Sequence, residues 1–235
     1  SRLESLPGVG PEWCAVLPRV WRDRDEPALR TLLERARALG FTGVLIGNLG
    51  HLPLVRGLNF HLYGDYGLNV FNSRSLAYLK DKELESACVS FELRFAQIRD
   101  LKKVLRAEAI VYGRLPLMIT ENCLVQNETG CRLDRQGPCV PEDGPCRCGQ
   151  PNVLVDRTGA AFPLLPAYGH RTEIQNSKPL YLADRPEHRR LGLAYARLRF
   201  TTETAEECVS VVQNYLDAAP AAGDFTRRLY ERGVE

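Results

Sequence analysis

Long apolar runs are missing from this chain. No stretch approaches the roughly 18 residues that a membrane-spanning helix requires, so no such helix is expected. A secretory signal is not visible either. The first residues, Ser1-Arg2-Leu3-Glu4-Ser5, carry neither a basic n-region nor an apolar h-region. A cytoplasmic location is the expectation. The sequence also lacks an initiator Met, which fits a fragment whose N-terminal remainder is a possible partner. Lysine is scarce: it occurs only at 80, 82, 102, 103 and 178, and the other cationic residues are arginine. Arginine's planar fork suits phosphate, but biased codon usage explains the excess as well. Arg185, Arg189, Arg190, Arg197 and Arg199 form a candidate nucleic-acid face, or equally a solvated one.

What is present is an ordinary globular composition, 235 residues with 44% apolar content and a net charge of +2. That length fits one large domain or two small ones. Strand and helix signals alternate. Cys14 to Trp21 reads as a strand. Asp25 can cap a helix carrying Pro27 in its first turn, with Leu29, Leu32, Leu33, Ala36 and Leu39 at helical spacing and Gly40 as its stop. Gly43-Val-Leu-Ile-Gly47 is continuously apolar, as in a parallel sheet covered on both faces. Phe60–Gly64, Ala87–Phe91 and Ala109–Tyr112 read as further strands. Between them lie helical signals at Ser73–Leu79 and at Phe95, Ile98, Leu101 and Leu105. Residues 152–164 read as a hairpin turning at Thr158-Gly159. Pro179–Ala183 and Gly192–Phe200 read as strands, and Thr204-Ala-Glu-Glu207 as a capping box opening a helix. The tail from Asp217, rich in Ala, Pro and Gly, reads as loop. The pattern predicts an α/β fold with parallel strands: an open sheet, or a partial or complete TIM-type (β/α)8 barrel whose first strands lie in a missing portion. One domain spans 1–235, with a Cys-rich insert and hairpin over 114–178, after a barrel strand.

Five of the eight cysteines, Cys123, Cys131, Cys139, Cys146 and Cys148, fall within 26 residues. Disulfide-dense chains are usually small and secreted. Clustering in one loop of a chain with its own core points instead to metal. The spacing matches neither a zinc ribbon nor a ferredoxin, yet several clustered thiolates can still hold iron or zinc. His170 is a candidate further ligand, the alternative being a solvent-exposed loop residue. Cys14, Cys88 and Cys208 sit in apolar contexts and read as buried thiols.

Polar residues follow several of the apolar strands. They include Asn48 in Gly47-Asn48-Leu49-Gly50, Asn69 and Asn72 ahead of Ser73, and Glu92 in Ser90-Phe91-Glu92-Leu93. In a parallel barrel such ends converge on the active-site mouth. Local capping is the alternative for Asn72 and especially Ser73. Asp156-Arg157 reads as a hairpin ion pair of little energetic value.

Taken in order, these residues resemble a known family. The set comprises Gly47-Asn48-Leu49-Gly50, Asn69-Val-Phe-Asn72-Ser73, Ser90-Phe-Glu92-Leu93, Tyr112-Gly113-Arg114-Leu115-Pro116-Leu117-Met118 and Glu121-Asn122-Cys123. It continues with Asp156-Arg157-x-Gly159, Phe162-Pro163, Asn176-Ser177-x-Pro179-Leu180, and Phe225-Thr226-Arg227 before Arg232-Gly233-Val234. It is similar to the U-32 peptidase family, the collagenase-like proteins, from about Gly43 to the C-terminus. The resemblance implies a TIM-barrel-like catalytic domain. It further implies a 4Fe-4S cluster held by cysteines, with oxygen-independent hydroxylation of RNA bases or of a small aromatic precursor. Prephenate is a suggested anionic oxygen donor. By position, Cys123, Cys131 and Cys148 resemble cluster ligands. Where many relatives have a fourth cysteine, this chain has His170, so His170, Cys139 or Cys146 would complete the set, the alternative being that the cluster is lost. Glu92, Asn69, Asn72 and Arg114 would line the pocket for RNA or the small anionic donor. A thiol- or metal-dependent peptidase is the second reading, although no Ser-His-Asp or His-Glu-x-x-His arrangement appears. A non-catalytic zinc-binding structural domain is the third.

Overall fold

The computed structural model describes residues 12–129, 150–227 and 230–231. The chain divides into two compact units, one of residues 1–90 and 101–107, the other of 91–100 and 108–235.

The first unit is a run of β-α crossovers: β1 (Cys14–Val16), α1 (Glu26–Ala38), β2 (Gly43–Ile46), α2 (His51–Val55), β3 (His61–Gly64), α3 (Ser73–Asp81) and β4 (Ser86–Cys88). β1–β2, β2–β3 and β3–β4 all pair in parallel. Parallel strands need crossovers, and the helices supply the apolar cover. Leu29 and Leu33 of α1, Leu54 and Val55 of α2, and Leu76 and Leu79 of α3 are buried, as are Val44, Ile46, Ala87 and Cys88 of the strands.

Several boundaries differ from the sequence reading. The first strand stops at Val16, before Pro18. Asn72, not Ser73, caps α3: its Oδ1 accepts from Ser75 N at 3.0 Å. Ser73 Oγ accepts instead from Lys102 N at 2.8 Å.

The second unit begins with α4 (Phe95–Asp100). β5 (Arg106–Gly113) enters it at Glu108. It continues through β6 (Pro116–Thr120), α5 (Leu124–Thr129), β7 (Asn152–Val155), β8 (Ala161–Ala167), β9 (Arg171–Gln175), β10 (Leu180–Tyr181), β11 (Tyr195–Arg199) and α6 (Ala205–Asp217). β5 pairs antiparallel with β10 and parallel with β11. Tyr112, Tyr181 and Ala183 form a buried cluster with Phe200, Val211, Tyr215 and Phe225 packed against it. Tyr215 Oη donates to Val111 O at 2.5 Å and accepts from Leu182 N at 2.8 Å. α6 opens with the expected capping box: Thr204 Oγ1 accepts from Glu207 N, and Glu207 accepts from Thr204 N.

A second, wholly antiparallel sheet runs in the order β6-β9-β8-β7. Its β7–β8 hairpin turns at Thr158-Gly159, where Gly159 has φ +84°. Asp156 does not pair with Arg157. Its Oδ1 instead accepts from Thr158 N, Thr158 Oγ1 and Ala160 N, and the Thr158 hydroxyl leads in holding its carboxyl below the usual range. The expected tail loop is partly docked. Tyr230 is buried, donates to Ile110 O at 2.7 Å and stacks on Phe95 at 5.3 Å.

Candidate functional site

The polar residues at the strand ends fall in both units. In the first, the chain leaving β2 folds back on itself: Asn48 Oδ1 accepts from Gly50 N at 2.8 Å, and Asn48 Nδ2 donates to Arg19 O at 3.3 Å. His51 follows, fully buried, with a ring nitrogen 3.1 Å from Pro18 O. Asn69 is exposed in the left-handed region at φ +50° and closes a short turn after β3. Asn72 is the cap described above.

In the second unit, Glu92 is half-buried ahead of α4. Arg114, also half-buried, leaves β5 and donates through Nη1 to the carbonyls of Asn176, at 3.0 Å, and Ser177. Gly113 before it has φ +116°, and a Cβ there would lie 2.0 Å from Arg199 O, so only glycine permits that approach.

Two of the candidate ligands are brought to one end of the antiparallel sheet. The β6–β9 ladder ends at Thr120 opposite Thr172. Cys123 lies three residues beyond Thr120, and His170 two residues before Thr172. A side-chain bond joins the two arms: Thr172 Oγ1 accepts from Leu124 N at 3.0 Å. The Cys123 thiol is buried beside Val125, Leu164 and Ile174, and its Sγ accepts from Gln126 N at 3.3 Å. His170 is half-buried, in the left-handed region at φ +58°. Cys131, Cys139, Cys146 and Cys148 lie outside the described residues. Among the described residues no three His, Cys, Asp or Glu side chains gather as a metal site. The free cysteines described are Cys14, Cys88, Cys123 and Cys208. Of these Cys88 and Cys123 are buried, while Cys14 and Cys208 are only partly covered.

One set of polar residues was not singled out by the sequence. On β9 the side chains of Arg171, Glu173 and Gln175 share one face, because strand side chains alternate. Arg171 and Gln175 are 4% and 0% exposed. Arg199 reaches across: Nη1 donates to Gln175 Oε1 at 2.6 Å and to Arg114 O at 2.7 Å, and Nη2 lies 3.5 Å from Glu173 Oε2.

The sequence pattern of Peptidase family U32 matches residues 10–153, more than half of the chain. The chain belongs to peptidase family U32. The matched span takes in both the β-α crossovers and the arm that carries Cys123. No curated protein matches the chain significantly. Among the described residues, no helix of this U32 chain is long and apolar enough to cross a membrane.

Proposed function

We propose that this U32 protein is an iron–sulfur enzyme of oxygen-independent hydroxylation, acting on an RNA base or a small aromatic precursor. Its parallel crossovers would belong to a (β/α)8 barrel. The observation that carries the reading is the Cys123 thiol. It is buried, is offered the Gln126 N–H, and sits where the antiparallel ladder also delivers His170. A soft thiol with a backbone donor on its sulfur suits an iron–sulfur cluster. Cys123, Cys131 and Cys148 would hold it, with His170, Cys139 or Cys146 as the fourth ligand. When bound, the cluster supplies one-electron chemistry. The chain's own contributions are simpler. Cys123 is held in place by α5, Thr172 ties the two arms together, and Arg114 provides positive charge for an anionic donor. The free thiols described suit a reducing, cytoplasmic compartment.

Anaerobic purification tests this directly. The expected product is brown, contains about four irons per chain, and loses most of its iron on Cys123→Ser but not on Cys208→Ser. A colourless protein with tightly held zinc would favour a structural metal centre and overturn the hydroxylase reading.

A further inference from the structure

The polar stripe on β9 is unusual for a strand buried on both faces. An apolar side chain at each of its three positions would avoid desolvating polar groups. Arg171 donates Nη2 to Glu121 Oε2 and Nη1 to Tyr168 O, both at 3.0 Å, and its buried Nε meets no acceptor. Gln175 gives its Oε1 to Arg199, and its buried Nε2 has no partner. The Arg199 contact fixes the orientation of that amide, since a flip would turn NH2 toward a guanidinium. Both of the unmatched atoms on β9 are donors, so what is lacking is an acceptor. The surrounding charge agrees: Arg114, Arg171 and Arg199 outnumber Glu121 and Glu173.

We propose that the Gln175 end of this stripe, beside Arg114 and Arg199, binds a small oxyanion, a carboxylate or a phosphate. Gln175 Nε2 donates to one of its oxygens. Arg114 supplies charge from the neighbouring turn, where its Nη1 is anchored to the carbonyls of Asn176 and Ser177. The Arg171 Nε belongs to a separate position, because four residues of strand separate it from Gln175 by about 13 Å. The binding site extends the anionic-donor part of the reading above and does not require the cluster.

The test uses the full chain as isolated anaerobically with its iron content measured, so loss of the cluster is told apart from loss of this site. Thermal midpoint and calorimetric titration are followed with malonate and with inorganic phosphate, at constant ionic strength set by chloride. A saturable rise with malonate alone assigns a carboxylate, with phosphate alone a phosphate, and with both the shared oxyanion chemistry. Gln175→Glu retains an acceptor for Arg199 but replaces the donor with a negative oxygen. It should weaken binding by about tenfold or more while remaining folded by circular dichroism. Arg114→Gln should weaken it as well, which keeps the test valid if the first variant does not fold. No saturable binding of either probe would overturn the proposal, leaving buried water as the partner of Gln175. Binding unchanged in both variants, an adventitious ion only, would overturn it equally.

Discussion

His51 makes the stability of the first unit depend on pH. The imidazole is fully buried at the first residue of α2, its ring 5.9 Å from that of Trp21. One nitrogen, Nε2, donates to Pro18 O at 3.1 Å; the other, Nδ1, is buried without a partner. Burial lowers its pKa from 6.5 to about 4, opposed only by the bond to Pro18. Between those values the unfolded chain takes up a proton that the folded chain refuses. Stability is therefore full above the unfolded value and falls as pH drops toward the folded one. Linkage gives a loss of about 1–2 kcal/mol between about pH 7 and about pH 5, after allowance for partial relaxation of the site. His51→Gln keeps a donor for Pro18 O and does not titrate. Carboxylates also titrate in this range, but they cancel in the difference between the two proteins. Both tryptophans, Trp13 and Trp21, lie in the first unit, so urea unfolding followed by tryptophan fluorescence reports that unit. The variant should be the less stable protein near neutrality, and the gap should narrow or reverse on acidification. Parallel stability curves for the two proteins would refute the argument.

Two further outcomes follow from backbone geometry and docking. Gly113→Ala puts a methyl 2.0 Å from Arg199 O at φ +116°, so β5 and β11 must part. It should cost about 3 kcal/mol or more, read by chemical denaturation. Tyr230→Phe removes the donor to Ile110 O at 2.7 Å and should cost about 1–2 kcal/mol, read the same way, whereas a neutral result would mean that this hydrogen bond adds nothing to stability.

How far the sequence foretells these features depends on what holds each element. The strands of the first unit were readable because parallel strands buried on both faces are continuous apolar runs, as Gly43–Ile46 is. The capping box at Thr204 was readable to the atom, because it is local chemistry at fixed spacing. The helix at Phe95, which ends at Asp100, is shorter than its leucine spacing predicts. Its periodic leucines continue to Leu105, but the backbone turns away when Lys102 N engages Ser73 Oγ, a partner 29 residues distant. The tail reads as loop from its composition, while contacts with distant residues dock it: Phe225 packs on the Tyr181 cluster, Arg227 pairs with Asp184, and Tyr230 bonds to Ile110 O. β9 escaped notice for the opposite reason to the apolar strands. Arg-Thr-Glu-Ile-Gln offers no apolar alternation, and its burial is sustained by guanidinium–carboxylate and amide bonds made by residues far away in the chain. The candidate metal site shows the same limit. Clustering identified the cysteines, but not that Cys123 and His170 stand at one ladder end. That placement is set by the register of Thr120 on Thr172, and a slip of one residue would turn Thr172 away from Leu124. Register, more than the count of thiols, is thus the physical condition on which the proposed ligand set depends.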